Sequence, residues 1–219
     1  MSLVHDTLPV GPLGNNAYVL ACPETGEAAV VDPGFEPDTI VAAVRRAKLT
    51  VTRILLTHGH YDHVAAVRDV QAALGGECWM HAADRAMMDT FNAQGALLGF
   101  PPARLPDVVH DLAEGPITIG HQSLSVIHTP GHSPGHVTFV GEGDIWSGDV
   151  LFAGSVGRTD LAGGDWARLE RSIRLRLFPL GDDTRVHPGH GPATTIGRER
   201  RTNPYLQDVG RPRQQTRGL

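Results

Sequence analysis

The sequence predicts one α/β domain built on two β-sheets, and three observations carry that expectation. The first half contains a strand–helix–strand step. The second half contains a run of short strand-like pieces closed by a helix. No fixed-length repeat, low-complexity block or linker divides the two halves. The domain is expected over residues 1–205, with 206–219 as a flexible tail.

In chain order, "NAYVLACPETGEAAVVDPG" reads as two strands around the turn-rich PETGE, ending at Asp32-Pro33-Gly34. Residues 37–48 place Ile40, Val41, Val44 and Ala47 at helical spacing after a Pro-Asp start, and "VTRILLTHG" returns as a strand. A second helical pattern opens at Asp62, with Val64, Val67, Val70 and Leu74 inward and Gly75-Gly76 as its stop; "ECWMHA" follows as a strand. Residues 89–106 are rich in Gly, Pro and Ala without a sustained period and are expected to form a long loop with one helical turn. Beyond Val108, "ITIG", "SLSVIHTPG", "HVTFVGEG" and "DIWSGD" read as strands, "DWARLERSIRLRLF" as a helix and "TRVHPGHG" as the last strand.

With 41% hydrophobic and 20% charged residues the chain can bury a sizeable core. Its start lacks a basic leader, and no later run approaches the roughly 20 apolar residues that cross a bilayer. A cytoplasmic location with no membrane partner is therefore expected. Cys22 and Cys78 are too few for a disulfide framework and are expected to be buried or idle. The net charge of -5 and a single lysine, Lys48, argue against a nucleic-acid partner, because phosphate binders concentrate excess Lys and Arg on one face. Arg198, Arg200 and Arg201, with Arg211, Arg213 and Arg217, read as a solvated or partly disordered terminus.

The chemistry concentrates in "ILLTHGHYDHVAAV". His58 and His60 are two apart and Asp62 adjoins His63, so a tight loop can turn alternate side chains toward two neighbouring points. Crowded neutral imidazoles need a cation to justify them. Three further motifs, "HTPGHSPGH", "WSGDVLF" and "VHPGHGP", each end a strand-like run with Gly at the turn and supply His132, Asp149 and His190. Seven ligands suffice for two cations about 3.5–4 Å apart that share a carboxylate and a water or hydroxide.

From "GNNAYVL" and "VVDPG" through "LLTHGHYDH", "TPGHSPGH" and "SGDVLFAGSVGRTD" to "HPGHGPATTIGRERRTNP", the chain resembles metallo-β-lactamase-fold hydrolases, and more closely the glyoxalase II branch. The resemblance implies an αββα sandwich, two mixed sheets flanked by helices, with metals at one edge. It implies that His58, His60 and His132 hold a first metal, that Asp62, His63 and His190 hold a second, and that Asp149 bridges them. Imidazole and carboxylate without thiolate fit two divalent ions of zinc, with iron or manganese as alternatives. The expected reaction is thioester hydrolysis of a small-molecule hydroxyacyl-glutathione type by a metal-bridging hydroxide, with Asp62 as the catalytic residue that orients it and shuttles its proton. Asp32 would brace the histidine loop, or be a plain turn residue. His136 and Tyr61 lie inside the motifs off the ligand positions, where packing or hydrogen bonding is the first expectation; Tyr61 is also a candidate substrate contact. Arg158, in "VGRTD", would clamp a substrate carboxylate or pair with Asp160. His5, His81, His110, His121, His128 and His187 lack ligand spacing.

Only 29 residues follow His190, which leaves no room for the helical C-terminal domain that helps glyoxalase II proper hold its glutathione thioester. The commonest zinc β-lactamases would carry Cys at the Asp149 position, and di-iron oxygen reductases a Glu inside the histidine motif. Persulfide dioxygenases share "GRTD" but use a single iron and expect Cys where "SVGRTD" has Val156. Lactone hydrolysis would need the same metals. A non-catalytic metal-binding module is disfavoured, since structural zinc sites are closed tetrahedra rich in Cys.

Overall fold

Alternation along the strands explains the layering. The computed structural model describes residues 3–207. Its first sheet runs β1 (Val4–Val10), β2 (Asn15–Ala21), β3 (Glu27–Val31), β4 (Thr50–Leu55), β5 (Glu77–Met80) and β6 (His110–Asp111), in that spatial order. The first two pairings are antiparallel and the next three parallel. The parallel crossovers carry helices α1 (Pro37–Arg46), α2 (Tyr61–Val64), α3 (Val67–Leu74), α4 (Arg85–Met88) and α5 (Phe91–Leu97).

The second sheet contains β7 (Gly115–Ile119), β8 (Gln122–His128), β9 (Val137–Val140) and β10 (Asp144–Gly148). After the small ribbon β11 (Leu151–Phe152) and β12 (Ser155–Val156) comes helix α6 (Trp166–Ser172), which widens into a π-helical turn at Ile173–Leu177. Strands β13 (Arg185–Pro188) and β14 (Thr194–Thr195) and helix α7 (Ile196–Thr202) follow. The spatial order is β14-β13-β10-β9-β8-β7, with β10 and β13 parallel and the other pairs antiparallel.

Three apolar layers hold these elements together. Ala17, Val19 and Ala21 of β2 face α1 and α3 with Ile40, Val44, Val67 and Val70, whereas Tyr18 and Leu20 face the second sheet with Leu124, Val126, Phe139 and Trp146. The period of two sends alternate residues to opposite faces, and both faces are covered. Beneath the second sheet, Ile145, Val150 and Val186 pack on Leu169, Ile173, Leu177 and Ile196. This is the αββα sandwich of two mixed sheets that the resemblance implies. No helix among the described residues is long and apolar enough to cross a membrane. Cys22 and Cys78 are free and buried.

Four local features refine the expected elements. β1 is an unforeseen edge strand: Val4–Thr7 are exposed, so no alternation marks them, and backbone pairing with Tyr18–Ala21 holds them. The helical pattern from Asp62 breaks at Ala65–Ala66 into α2 and α3. The expected loop at 89–106 holds α5, whose Gly95 admits the Tyr61 ring; a Cβ there would lie 2.5 Å from that ring. Arg198, Arg200 and Arg201 are exposed, as expected, but belong to the ordered helix α7: Thr195 caps it at the Arg198 amide, Ile196 is buried beneath it, Arg200 donates to the Phe178 carbonyl and Arg201 pairs with Asp182. Leu206 is buried, and residues 208–219 of the expected tail, with Arg211, Arg213 and Arg217, lie outside the described residues.

Candidate metal centre

Strand ends gather the polar loops at one edge of the sandwich. Asp32 follows β3, Thr57 to His63 follow β4, His132 follows β8, Asp149 follows β10 and His190 follows β13. Backbone bonds lace these loops across the two sheets: the Val137 amide donates to the Thr57 carbonyl at 2.8 Å, Gly189 to Gly148 at 2.9 Å and Asn16 to Gly189 at 2.8 Å.

Two sets of donors converge. His58, His60 and His132 each offer a ring nitrogen within 4.8 Å of the others, and Asp62, His63 and His190 form a second such group. Asp149 lies between the sets, with Oδ1 3.5 Å from His63 Nε2 and Oδ2 3.5 Å from both His132 Nε2 and His190 Nε2. Asp62 Oδ2 is 3.6 Å from His63 Nε2 and 3.3 Å from His190 Nε2. All seven residues expected to hold metal are thus brought together.

Hydrogen bonds at the far side of each ring fix the tautomers. His132 Nδ1 donates to the Arg158 carbonyl at 2.7 Å and His190 Nδ1 to the Leu13 carbonyl at 3.1 Å, so both Nε2 atoms carry lone pairs when the rings are neutral. His63 Nδ1 donates to Asp32 Oδ2 at 3.0 Å. The Thr57 hydroxyl donates to the same oxygen at 2.6 Å and accepts from His58 Nδ1 at 3.0 Å. His60 is turned the other way, its Nδ1 2.8 Å from His132 Nε2, so a proton or a cation must lie between them.

Whether these residues suit a cation can be judged from what they leave unpaired. His58 Nε2, His63 Nε2 and Asp149 Oδ1 are buried without a hydrogen-bond partner. Orphaned buried polar atoms are rare and costly, and here they face one another from both donor sets. The donor set, imidazole and carboxylate with no thiolate, fits a divalent transition ion. A further grouping, Asp32 with His58 and His63, also comes within range, but the Asp32 oxygens are already occupied by Thr57 and His63 Nδ1, which makes Asp32 an orienting group.

Charge differs between the two sets. Burial, with His63 close by, drives His58 well below the ordinary histidine range, and burial beside His132 lowers His60 to about 3. Both are therefore neutral, as ligands must be. For His63 and His190 burial opposes the charge, but Asp149 and Asp62 outweigh it, raising His63 well above its usual value and His190 to about 10. Against burial, His63 holds Asp62 below the usual carboxylate range, and His63 and His190 hold Asp149 well below it. The second set is thus anionic enough to attract either protons or a cation.

The remaining candidates fall into place around this centre. Asp32 is buried and accepts the Thr57 amide at 2.7 Å besides the two bonds above, so it is no plain turn residue. His136 Nε2 accepts the Asp149 amide at 3.0 Å, Nδ1 bonds Thr129 Oγ1 at 3.0 Å, and its ring stacks on His58. Tyr61 is corrected as a substrate contact: it is 3% exposed, stacked between Phe91 and Phe100, and its hydroxyl donates to the Pro101 carbonyl at 2.6 Å. Arg158 is exposed and holds Asp160 through two bonds of 2.9 and 3.0 Å, the second of its two expected roles.

Three residues escaped sequence reasoning. Asn15, 0% exposed at the start of β2, donates from Nδ2 to the Asp62 carbonyl at 2.7 Å and to Asp62 Oδ2 at 3.0 Å. Thr57 links His58 to Asp32. Asp84, on a 3₁₀ turn after β5, is buried among the loops; its one sequence signal is the pattern "HAAD", in which His81 Nδ1 caps the turn by accepting the Ala83 amide at 3.2 Å.

Residues 10–190 match the model of the metallo-beta-lactamase superfamily. The hydroxyacylglutathione hydrolase GloC of Haemophilus influenzae is 35% identical over 92% of this chain and 97% of its own length. The crystal structure of BLEG-1 B3 metallo-beta-lactamase superposes at a TM-score of 0.85 with 41% identity, covering 93% of this chain and 99% of that one. TTHA1623 in a di-iron-bound form gives the same TM-score and identity over 92% of this chain and 100% of its own. The matched model, the shared sandwich and the histidine-rich edge together make this chain a metal-dependent hydrolase of the metallo-beta-lactamase superfamily.

Proposed function

We propose that the chain hydrolyses a small-molecule thioester of the hydroxyacylglutathione type at a centre of two divalent cations, with zinc as the expected metal. The observation that carries this reading is the position of Asp149, whose two oxygens face His63 on one side and His132 and His190 on the other. A carboxylate so placed can serve both donor sets, which is what a binuclear site needs. The similarity to the GloC hydrolase supports the thioester.

His58, His60 and His132 would hold one cation and Asp62, His63 and His190 the other, with Asp149 shared. Bound there, divalent cations supply Lewis acidity for a carbonyl and lower the pKa of water toward neutrality. Asp62 does the proton work. Its carboxylate stays ionised and is fixed by Asn15, and besides serving as a ligand it would orient the attacking water and take its proton. Water adds its oxygen to the acyl carbon, the C–S bond breaks, and the proton held by Asp62 passes to the departing thiolate. His58 and His60 stay neutral, and Asp32 keeps His58 and His63 in one tautomer throughout.

The 41% identity with a B3 metallo-beta-lactamase favours a second reading, β-lactam hydrolysis at the same centre. Metal-loaded protein assayed side by side on S-D-lactoylglutathione, a chromogenic cephalosporin and an acyl lactone separates the two. Thioester kcat/KM exceeding the others by at least about tenfold is expected; β-lactam turnover with no thioester turnover would replace the first reading by the second.

A further inference from the structure

We propose that Asp84 is a positioning residue that sets the geometry of the His58–His60–His132 set alone, and so fixes how tightly that set holds its cation relative to the second. This rests on the reading of the edge as a metal centre. Asp84 is wholly buried, and its carboxylate hydrogen-bonds to residues beside the ligands rather than to the ligand side chains. Its carboxylate instead holds the two loops that carry them. Oδ2 accepts the Gly59 amide at 3.1 Å and the Ser133 hydroxyl at 2.6 Å, and Oδ1 accepts the Gly135 amide at 2.5 Å.

The positions of those three donors make the case. Gly59 lies between His58 and His60, and Ser133 directly follows His132. One carboxylate therefore ties the backbone between two ligands of the first set to the loop beside the third, through partners 25, 49 and 51 residues from it in the chain. The fit is close: a Cβ on Gly135 would lie 2.8 Å from Asp84 Oδ1 and 2.7 Å from its amide, so only glycine lets that loop come near enough. A second clamp backs the first. His81, which caps the turn bearing Asp84, stacks on His128 at 4.5 Å and 6°, and His128 Nε2 donates to the Pro134 carbonyl at 2.9 Å, in the same loop as Ser133 and Gly135.

The second set has different supports. Asp62 is held by Asn15, His63 by Asp32 and His190 by the Leu13 carbonyl, and none of these groups bonds to Asp84. Loss of the Asp84 carboxylate thus frees one set and spares the other. Outer groups that orient ligands typically change metal affinity about 10–100-fold, and that is the size of effect expected here, on one cation of two.

The test titrates metal-free protein with Zn²⁺ against a chromophoric chelator, with circular dichroism monitoring the fold. His190→Ala isolates the first set and His132→Ala the second. Adding Asp84→Asn to the former should weaken Zn²⁺ binding about 10–100-fold, and adding it to the latter should change binding by less than about threefold. Ser133→Ala, which removes one of the three bonds and leaves the carboxylate, should give a smaller loss confined to the first set. It decides the matter if Asp84→Asn does not fold. Equal weakening of both sets, or no change in either, overturns the proposal. Absence of Zn²⁺ binding by the wild-type chain would instead overturn the metal-centre reading on which it rests.

Discussion

The Asp32 carboxylate accepts the Nδ1 proton of His63 at 3.0 Å, and through the Thr57 hydroxyl it also governs His58. One buried acid therefore orients a histidine of each donor set. Asp32→Ala leaves the Thr57 amide, the Thr57 hydroxyl and His63 Nδ1 without their acceptor. Since a buried donor stripped of its partner costs about 1–3 kcal/mol, the metal-free variant should lose about 2–5 kcal/mol in denaturant unfolding. A loss below about 0.5 kcal/mol would show that the network stabilises nothing.

Asp62 is expected to act on rate rather than on binding. Asp62→Ala in metal-loaded protein should lower kcat about 10²–10⁴-fold, the usual contribution of a positioned general acid–base, with KM changed by much less. Unchanged kcat at full metal occupancy would remove Asp62 from the proton work.

Gly189 gives Asp149 its space. A Cβ there would lie 2.1 Å from Asp149 Oδ1 and 2.9 Å from His63 Cε1. Gly189→Ala must displace the carboxylate that faces both sets, and a shift on the order of 1 Å is enough to cost about 100-fold in turnover. The circular dichroism spectrum should be unaltered. Wild-type turnover in the variant would mean that Asp149 can move without consequence.

Far from the centre, Asp144 accepts Arg185 Nε and His187 Nε2, each at 2.7 Å. Burial raises its pKa, but these two partners prevail and hold it below the usual carboxylate value. Its folded pKa is therefore lower than its unfolded one of about 3.9. The linked stability is fully present above that value and is lost as pH falls through the folded one. Asp144→Asn should reduce stability at pH 7 by about 1–3 kcal/mol, and the gap to wild type should narrow below about pH 4. A gap of constant size from pH 7 to pH 3 would show that the charge is not what matters.

The legible parts of the chain were those where burial imposes a period. Ile40, Val41 and Val44 show one face of α1, and the buried runs 17–21 of β2 and 28–31 of β3 show strands covered on both sides. The candidate metal-binding residues were legible because glycine turns and histidines recur together at strand ends. β1 was not, since its exposed residues are held by backbone bonds that carry no residue-type signal. α5 was hidden by Gly95, which weakens helix propensity for the sake of the Tyr61 ring, and that ring packs and hydrogen-bonds as first expected. Asp84 was invisible because its three partners lie 25 to 51 residues away and two of them are backbone amides.

The most direct test of the account is the number of metal equivalents per chain, measured by elemental analysis on wild type and on His190→Ala after saturation with Zn²⁺ and removal of excess. Two equivalents in the wild type and one in the variant are predicted, because His190 belongs to only one of the two sets that Asp149 joins. One equivalent in both proteins would contradict a shared two-cation centre.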